Sequence, residues 1–387
     1  MKEIKNIFFA AAFLFAITFG AVYFVLPFLG ADDYKTTVRS AAEASPPEEK
    51  IFIATHLKTP ETVKGVYMTS WVAGTPTLRN NILRLLEETE LNTVVIDIKD
   101  DTGRVSYEIL NPELKVLGSE DIRIADLRDL IGKLHEKNIY VVGRIAAFQD
   151  PFMVKKFPES AVKKASDGSI WRDRKGLTWI DPGAKDHWQY LAALARESYL
   201  AGFDEIQFDY IRFPSDGNMW DIYYPYSEGR IKREVIRSFF AFLDEKLSDT
   251  GMKISADLFG MTTTNTDDLN IGQVLEDAFP YFDYISPMVY PSHYPSGFYG
   301  HSNVNAVPYE IVKISMDSAV NRLNIFHNTV ASTTVKLRPW LQDNDYPVPY
   351  TPDMIRAQIK ATYDSGLDSW MLWDAGNTYT RAALLSE

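Results

Sequence analysis

From residue 64 onward the sequence alternates between short β-branched or aromatic runs and longer amphipathic stretches. No other feature constrains the fold as much. The runs are GVYMTSW (65–71), TVVIDIK (93–99), YVVGRIA (140–146), EIQFDYIRF (205–213), KISADLFG (253–260), YISPMVYP (284–291), a weak LRPWLQ (337–342) and SWMLWDAG (369–376). Between them lie stretches of helical period such as TLRNNILRLLEETE, IADLRDLIGKLHEKN and IKREVIRSFFAFLDEKL, several ending in Gly or Asn just before the next run. Eight strand–helix units in about 325 residues match a closed (β/α)₈ barrel, the TIM barrel. Runs without strict alternation suit parallel strands buried on both faces. A doubly wound open sheet is the rival, but it would carry a Gly-rich phosphate loop after the first strand, and WVAGTPT is not one. With no internal repeat, residues 63–387 read as a single barrel domain.

A barrel of that size needs a large core, and 46% hydrophobic and 13% aromatic residues supply it. The absence of cysteine excludes disulfides, thiol catalysis and thiolate metal sites. A net charge of −12 argues against nucleic acid as a partner, because its phosphates are bound by clustered Lys and Arg. The N-terminus is a separate unit. Lys2 and Lys5 precede an uncharged, mostly apolar run over residues 7–29, and twenty-three residues at roughly 1.5 Å each would span a bilayer core of about 30 Å. Residues 1–30 therefore read as a transmembrane anchor, or alternatively as a cleaved signal. Either one places the rest outside the cytoplasm, with the membrane as a partner through the N-terminal helix. Residues 31–62, containing EASPPEEK, read as a polar tether.

The working face of such a barrel lies at the C-terminal ends of its strands. Polar and aromatic residues gather there: Trp71 on strand 1, Asp97 and Lys99 on strand 2, and Arg144 on strand 3. Strand 4 adds Gln207, Asp209 and Arg212, strand 5 Asp257, strand 6 Tyr290 and His293, and strand 8 Trp373 and Asp374. Alternation places Gln207 and Asp209 on the same, inward face. Each residue also has a structural reading. Asp97 and Lys99 form a same-face ion pair, Asp209 pairs with Arg212, Asp374 caps a turn, and Trp71, Trp179 and Trp373 fill the core. The coincidence of polar ends on six strands favours a pocket.

The six histidines show neither His-x-His on strand 1 nor HExxH, which gives a zinc site little support. Residues 97–108 superficially match a calcium loop, but Lys99 takes a ligand position and Gly103 is displaced by one. Neither metal nor cofactor is expected. Carboxylates and aromatic platforms around one pocket suit glycosidic-bond chemistry, for which two carboxyl groups suffice. Asp209 and Asp257, on neighbouring strands, are the expected catalytic pair. Trp71, Trp179, Tyr290 and Trp373 are the expected sugar platforms. Asp97, Lys99, Arg144, Gln207, Arg212, His293 and Asp374 are the expected substrate contacts.

The segments GFDEIQFDYIRFPSDG, DLFGMTT, YFDYISPMVYPSHY and WMLWDAGNTY resemble a bacterial family of glycoside hydrolases with a TIM-barrel domain, over roughly residues 63–380. The resemblance implies a barrel and a carbohydrate substrate. More distantly, chitinase-like barrels carry Asp-x-x-Asp-x-Asp-x-Glu on strand 4. The matching positions here are Asp204, Gln207, Asp209 and Ile211, so the terminal acid is absent. Amylase-like barrels place an Arg-x-Asp nucleophile on strand 4 and an acid Glu on strand 5, to which Gln207-x-Asp209 and Asp257 are similar. The expected activity is hydrolysis of an extracellular or cell-envelope polysaccharide. A non-catalytic glycan-binding barrel is the rival, and a metal-dependent polysaccharide deacetylase a more remote one.

Overall fold

A computed structural model describes residues 54–330 and 334–386. Nine strands, all paired in parallel, form one sheet: β1 (Lys64–Met68), β2 (Thr93–Lys99), β3 (Tyr140–Ala146), β4 (Glu205–Asp209), β5 (Lys253–Phe259), β6 (Tyr284–Met288), β7 (Lys336–Leu337), β8 (Trp340–Gln342) and β9 (Trp370–Trp373). Pairing of β5 with β6 and of β9 with β1 closes the sheet. The strands β7 and β8 share one position in the wall: β6 meets β7 at Ile285↔Leu337 and β8 at Met288↔Trp340. Pro339 lies between them and has no N–H to donate, so the strand breaks there. The result is a closed barrel of eight parallel strand positions, a TIM barrel.

Helices α1 (Pro76–Glu88), α2 (Leu127–Glu136), α3 (Lys185–Leu200), α4 (Lys232–Leu247), α5 (Pro308–Thr329) and α6 (Pro352–Asp364) connect the strands. In α2 the buried residues are Leu127, Leu130, Ile131 and Leu134, the i, i+3, i+4, i+7 stripe that a helix lays on a sheet. Pro352 opens α6 behind Thr351, whose hydroxyl accepts from the Met354 N–H. Two of the expected helices are reduced. Only Leu275–Ala278 is α-helical between β5 and β6, and a single 3₁₀ turn, Arg381–Ala383, follows β9 among the described residues.

The strands are buried on both faces. Outward residues such as Val94, Ile96, Ile206, Phe208 and Leu258 join the large core under the helices. Inward residues such as Val95, Val142, Trp340 and Met371 belong to a smaller cluster with Tyr67 and Tyr290. At the N-terminal end of the barrel, the fully buried Glu205 pairs with the equally buried Arg338 and accepts from Ser255 and Tyr140.

The expected membrane segment over residues 1–30, and the tether as far as residue 53, lie outside the described residues. Among the described residues no helix is long and apolar enough to cross a membrane. Residues 54–62, expected as the end of the tether, are bonded to the barrel instead. The Asp204 carboxylate accepts from the Leu57 N–H at 2.7 Å and the Val141 N–H at 2.8 Å. Thr59 bonds the Tyr140 hydroxyl at 3.0 Å, and His56 stacks on Tyr199 at 3.8 Å.

Candidate active site

The strand ends set the site. β4 stops at Asp209, four residues earlier than expected, because Tyr210 turns into the left-handed region at φ 52°. A tyrosine there is strained by about 1–3 kcal/mol, a cost usually met only where the surroundings fix the turn. Here the Tyr210 N–H donates back to Asp209 Oδ1 at 2.6 Å, and the carbonyls of Asp209 and Tyr210 accept from Ala147 and Phe148. The turn leaves Asp209 at the barrel mouth and moves Arg212 off the strand into the following loop.

Arg144, from β3, organises the floor. Its Nη2 donates to Asp209 Oδ2 at 2.6 Å, its Nε to the same oxygen at 3.2 Å, and its Nη1 to Asp97 Oδ1 at 2.7 Å. The Tyr67 hydroxyl donates to the other oxygen of Asp97. Burial weakens the arginine's hold on its proton, but Asp209 and Asp97 more than compensate and keep it charged. Tyr67 in turn stacks on Trp373 at 4.1 Å, and Trp373 meets Trp340 edge-on at 5.7 Å. Strands β1, β2, β3, β4 and β9 are thereby joined through side chains at one level.

Asp257, from β5, is buried beside this group. Among the described residues, its one hydrogen bond to a side chain comes from Trp340 Nε1 to Oδ1, at 2.8 Å. Burial raises its pKa well above the usual carboxylate range, and the nearby Asp209 raises it further against the opposing pull of Arg144. One carboxyl group that holds its proton more tightly, near another that is fixed by an arginine, is the division of labour that acid-assisted bond cleavage requires. Because the Trp340 N–H favours the ionised form of Asp257, Trp340→Phe is expected to raise that pKa further. If Asp257 sets the basic limb of the kcat/KM profile, that limb should then move to higher pH, and an unmoved limb would show that another group sets it.

Above these groups lies a cleft of about 470 Å³. Of the residues singled out in the sequence, Asp209, Asp257, Arg144, Arg212, Tyr290, His293 and Trp373 line it. Gly260 lets the chain after β5 pass close to β6, since a Cβ there would stand 2.4 Å from the Met288 carbonyl oxygen.

The other expected contacts are placed elsewhere. Asp97 is buried beneath Arg144, and Gln207 lies inside the barrel, donating to Ser286 Oγ at 3.3 Å. Lys99 was expected on the face of Asp97, but β2 bulges between them so that Asp97 opposes Arg144 while Lys99 opposes Ile145. The bulge turns the lysine to the outer face, where it is fully buried against Asp150 at 2.9 Å. Trp71 follows the early end of β1 and is 61% exposed under the Arg123 guanidinium. Trp179 is buried, with its indole N–H on Asp173 at 3.0 Å, and supports Arg212 from below rather than facing the cleft. Asp374 accepts from the Gly376 and Thr378 N–H groups, both at 2.8 Å, and holds the turn after β9.

Tyr67, Trp340 and Tyr210 complete the site and had not been singled out. Tyr67 could have been read from its position in the first strand run. Trp340 sits in the weakest run, and nothing local in the sequence shows that its indole reaches β5. Among the described residues no group of three or more His, Asp or Glu converges as a metal site.

A closed parallel barrel with a carboxylate-floored, aromatic-walled cleft at the C-terminal strand ends has the architecture of a barrel enzyme. More particularly, the chain belongs to the family described as "Putative glycosyl hydrolase domain", which matches residues 65–379, and it is by that membership a glycoside hydrolase. Among solved structures it is similar to the PgaB (BpsB) glycoside hydrolase domain from Bordetella bronchiseptica. That match has 12% identity and a TM-score of 0.59, over 81% of this chain and 94% of that one. It is also similar to alpha-L-fucosidase isoenzyme 2 from Paenibacillus thiaminolyticus, at 10% identity and a TM-score of 0.55, over 83% of this chain and 47% of that one. A hypothetical protein from Ruminiclostridium thermocellum is 40% identical over 50% of this chain and 96% of its own length, with a TM-score of 0.45. At such identities the first two likenesses concern the fold. No curated protein matches the chain.

Proposed function

We propose that the protein hydrolyses an extracellular or cell-envelope polysaccharide, with Asp209 as nucleophile or general base and Asp257 as general acid. The observation that carries this reading is the unequal setting of the two carboxyl groups. Asp209 is held by a charged arginine, and Asp257 by burial and one indole N–H, in the same cleft. Tyr290 and Trp373 offer ring faces for sugar C–H groups, and Arg144 fixes the orientation of Asp209. The two lysines and the apolar run in residues 1–30 support an extracytoplasmic, membrane-anchored placement.

Full-length protein recovered from the membrane fraction is expected to release reducing ends from at least one member of a polysaccharide panel. Binding without release from any member would favour the non-catalytic glycan-binding barrel. Recovery of the chain solely from the cytosol would sink the proposed placement while leaving the chemistry to be judged by the digestion.

A further inference from the structure

The cleft holds a second cationic feature that the proposed chemistry does not use. Arg212 lines the cleft and is nine-tenths buried, yet no carboxylate among the described residues lies within 4 Å of its nitrogens. Its hydrogen bond runs from Nη1 to the carbonyl of the neighbouring Phe213, at 3.0 Å. Its guanidinium otherwise rests on rings, 4.6 Å from Phe259, 4.8 Å from Trp179 and 5.4 Å from Tyr210. The acidic groups around it are engaged or more distant. Asp209 is taken by Arg144, and Asp173 accepts from Gln149, Trp179 and the N–H groups of Lys175 and Leu177. Asp216 lines the same cleft but stands beyond ion-pair distance. Lys175, exposed and outside every ion pair among the described residues, lines the cleft as well.

A buried guanidinium is expensive without an anion, and the rings around it position it without neutralising it. Burial accordingly pulls its pKa below the ordinary arginine value. In a chain of net charge −12, two cations turned into one cleft are not a consequence of bulk composition.

We propose that Arg212, with Lys175, forms a subsite for a carboxylate carried by the glycan, so that the enzyme selects a polysaccharide containing sugar acids. A planar carboxylate can accept two parallel N–H groups along one edge of a guanidinium, a fit that a neutral hydroxymethyl group cannot reproduce. This inference rests on the glycoside hydrolase reading of the same cleft.

The test compares matched ligands on the full-length protein by calorimetric titration: oligogalacturonate against the same oligosaccharide reduced at its carboxyl groups, with galactose 6-phosphate as a third probe. The acidic oligosaccharide is expected to bind about ten- to a hundredfold more tightly than its reduced partner, the range of a charge-assisted hydrogen-bonded pair. Arg212→Gln should bring that ratio to within about twofold. Lys175→Gln, at an exposed position where folding is not at stake, should lower it severalfold. Equal binding of the two oligosaccharides, an unchanged ratio in both variants, or selection of the phosphate alone overturns the proposal. If neutral polysaccharides are bound and cleaved without preference for acidic ones, this subsite falls and the hydrolase reading stands. If no glycan of either kind is bound, the subsite and the proposed polysaccharide substrate both fall, while the family membership stands.

Discussion

Replacing Asp209 by Asn is expected to lower kcat by on the order of 10³-fold or more, because the substitution removes the charge that must attack the anomeric carbon or activate water. The cost in stability should be much smaller. The amide oxygen can still accept from Arg144, and Asp97 remains to balance the guanidinium. A melting temperature lowered by a few degrees, alongside near-complete loss of turnover, is the expected pair of results. A purely structural Asp209 would give the reverse, a large loss of stability with activity retained. Azide added to Asp209→Ala would attack from the same face whichever of the two catalytic roles Asp209 plays. The roles are told apart by the anomer first released by the parent enzyme: retention marks Asp209 as nucleophile and inversion marks it as base.

The second large effect is expected at Asp257. A general acid must carry its proton at the working pH, and burial with the neighbouring Asp209 raises its pKa in that direction. Activity should therefore fall as pH rises through the folded-state pKa of Asp257, and Asp257→Asn should abolish that basic limb. Glycosides with poor leaving groups should slow by about 10²–10⁴-fold, while activated aryl glycosides, which depart without protonation, should be largely spared. The same shift has a sign in stability. With a folded pKa above the unfolded one, the favourable contribution of Asp257 is complete below the unfolded value and is lost as pH rises through the folded one. Asp257→Asn should thus gain stability relative to the parent chain at alkaline pH. If both substrate types slow equally and the basic limb persists, Asp257 is not the acid.

The barrel was legible because its signal is collective. Eight runs of the right length at regular spacing specify closure even when one of them, 337–342, is weak and split at Pro339. The site was legible only where strand register could be extrapolated. Arg144, Asp209, Asp257 and Trp373 meet at the level that alternation assigns them. Lys99 departs from that level because a single extra residue in β2 reverses its face, and no residue in TVVIDIK announces a bulge. Trp71 departs because β1 ends at Met68, where Thr69 caps a short helix, so that the tryptophan leaves the wall. Arg212 falls outside β4 through the left-handed turn at Tyr210, a conformation that tyrosine does not advertise. The partnership of Trp340 with Asp257 spans 83 residues and depends on closure itself.

The clamp at Arg144 has a consequence for charge balance. Asp97 and Asp209 are two carboxylates sharing one guanidinium, so the floor retains about one negative charge while Asp257 is protonated. Glycosidic cleavage develops positive charge on the sugar ring at that place. The unmatched charge is held by a buried, ring-packed arginine and need not reorganise as the bond breaks. On the proposed roles, Asp209 becomes glycosylated or takes a proton from water as Asp257 gives up its own, so the floor keeps about one negative charge throughout. The charge would thus pass between Asp209 and Asp257 without changing the total that the buried arginine balances.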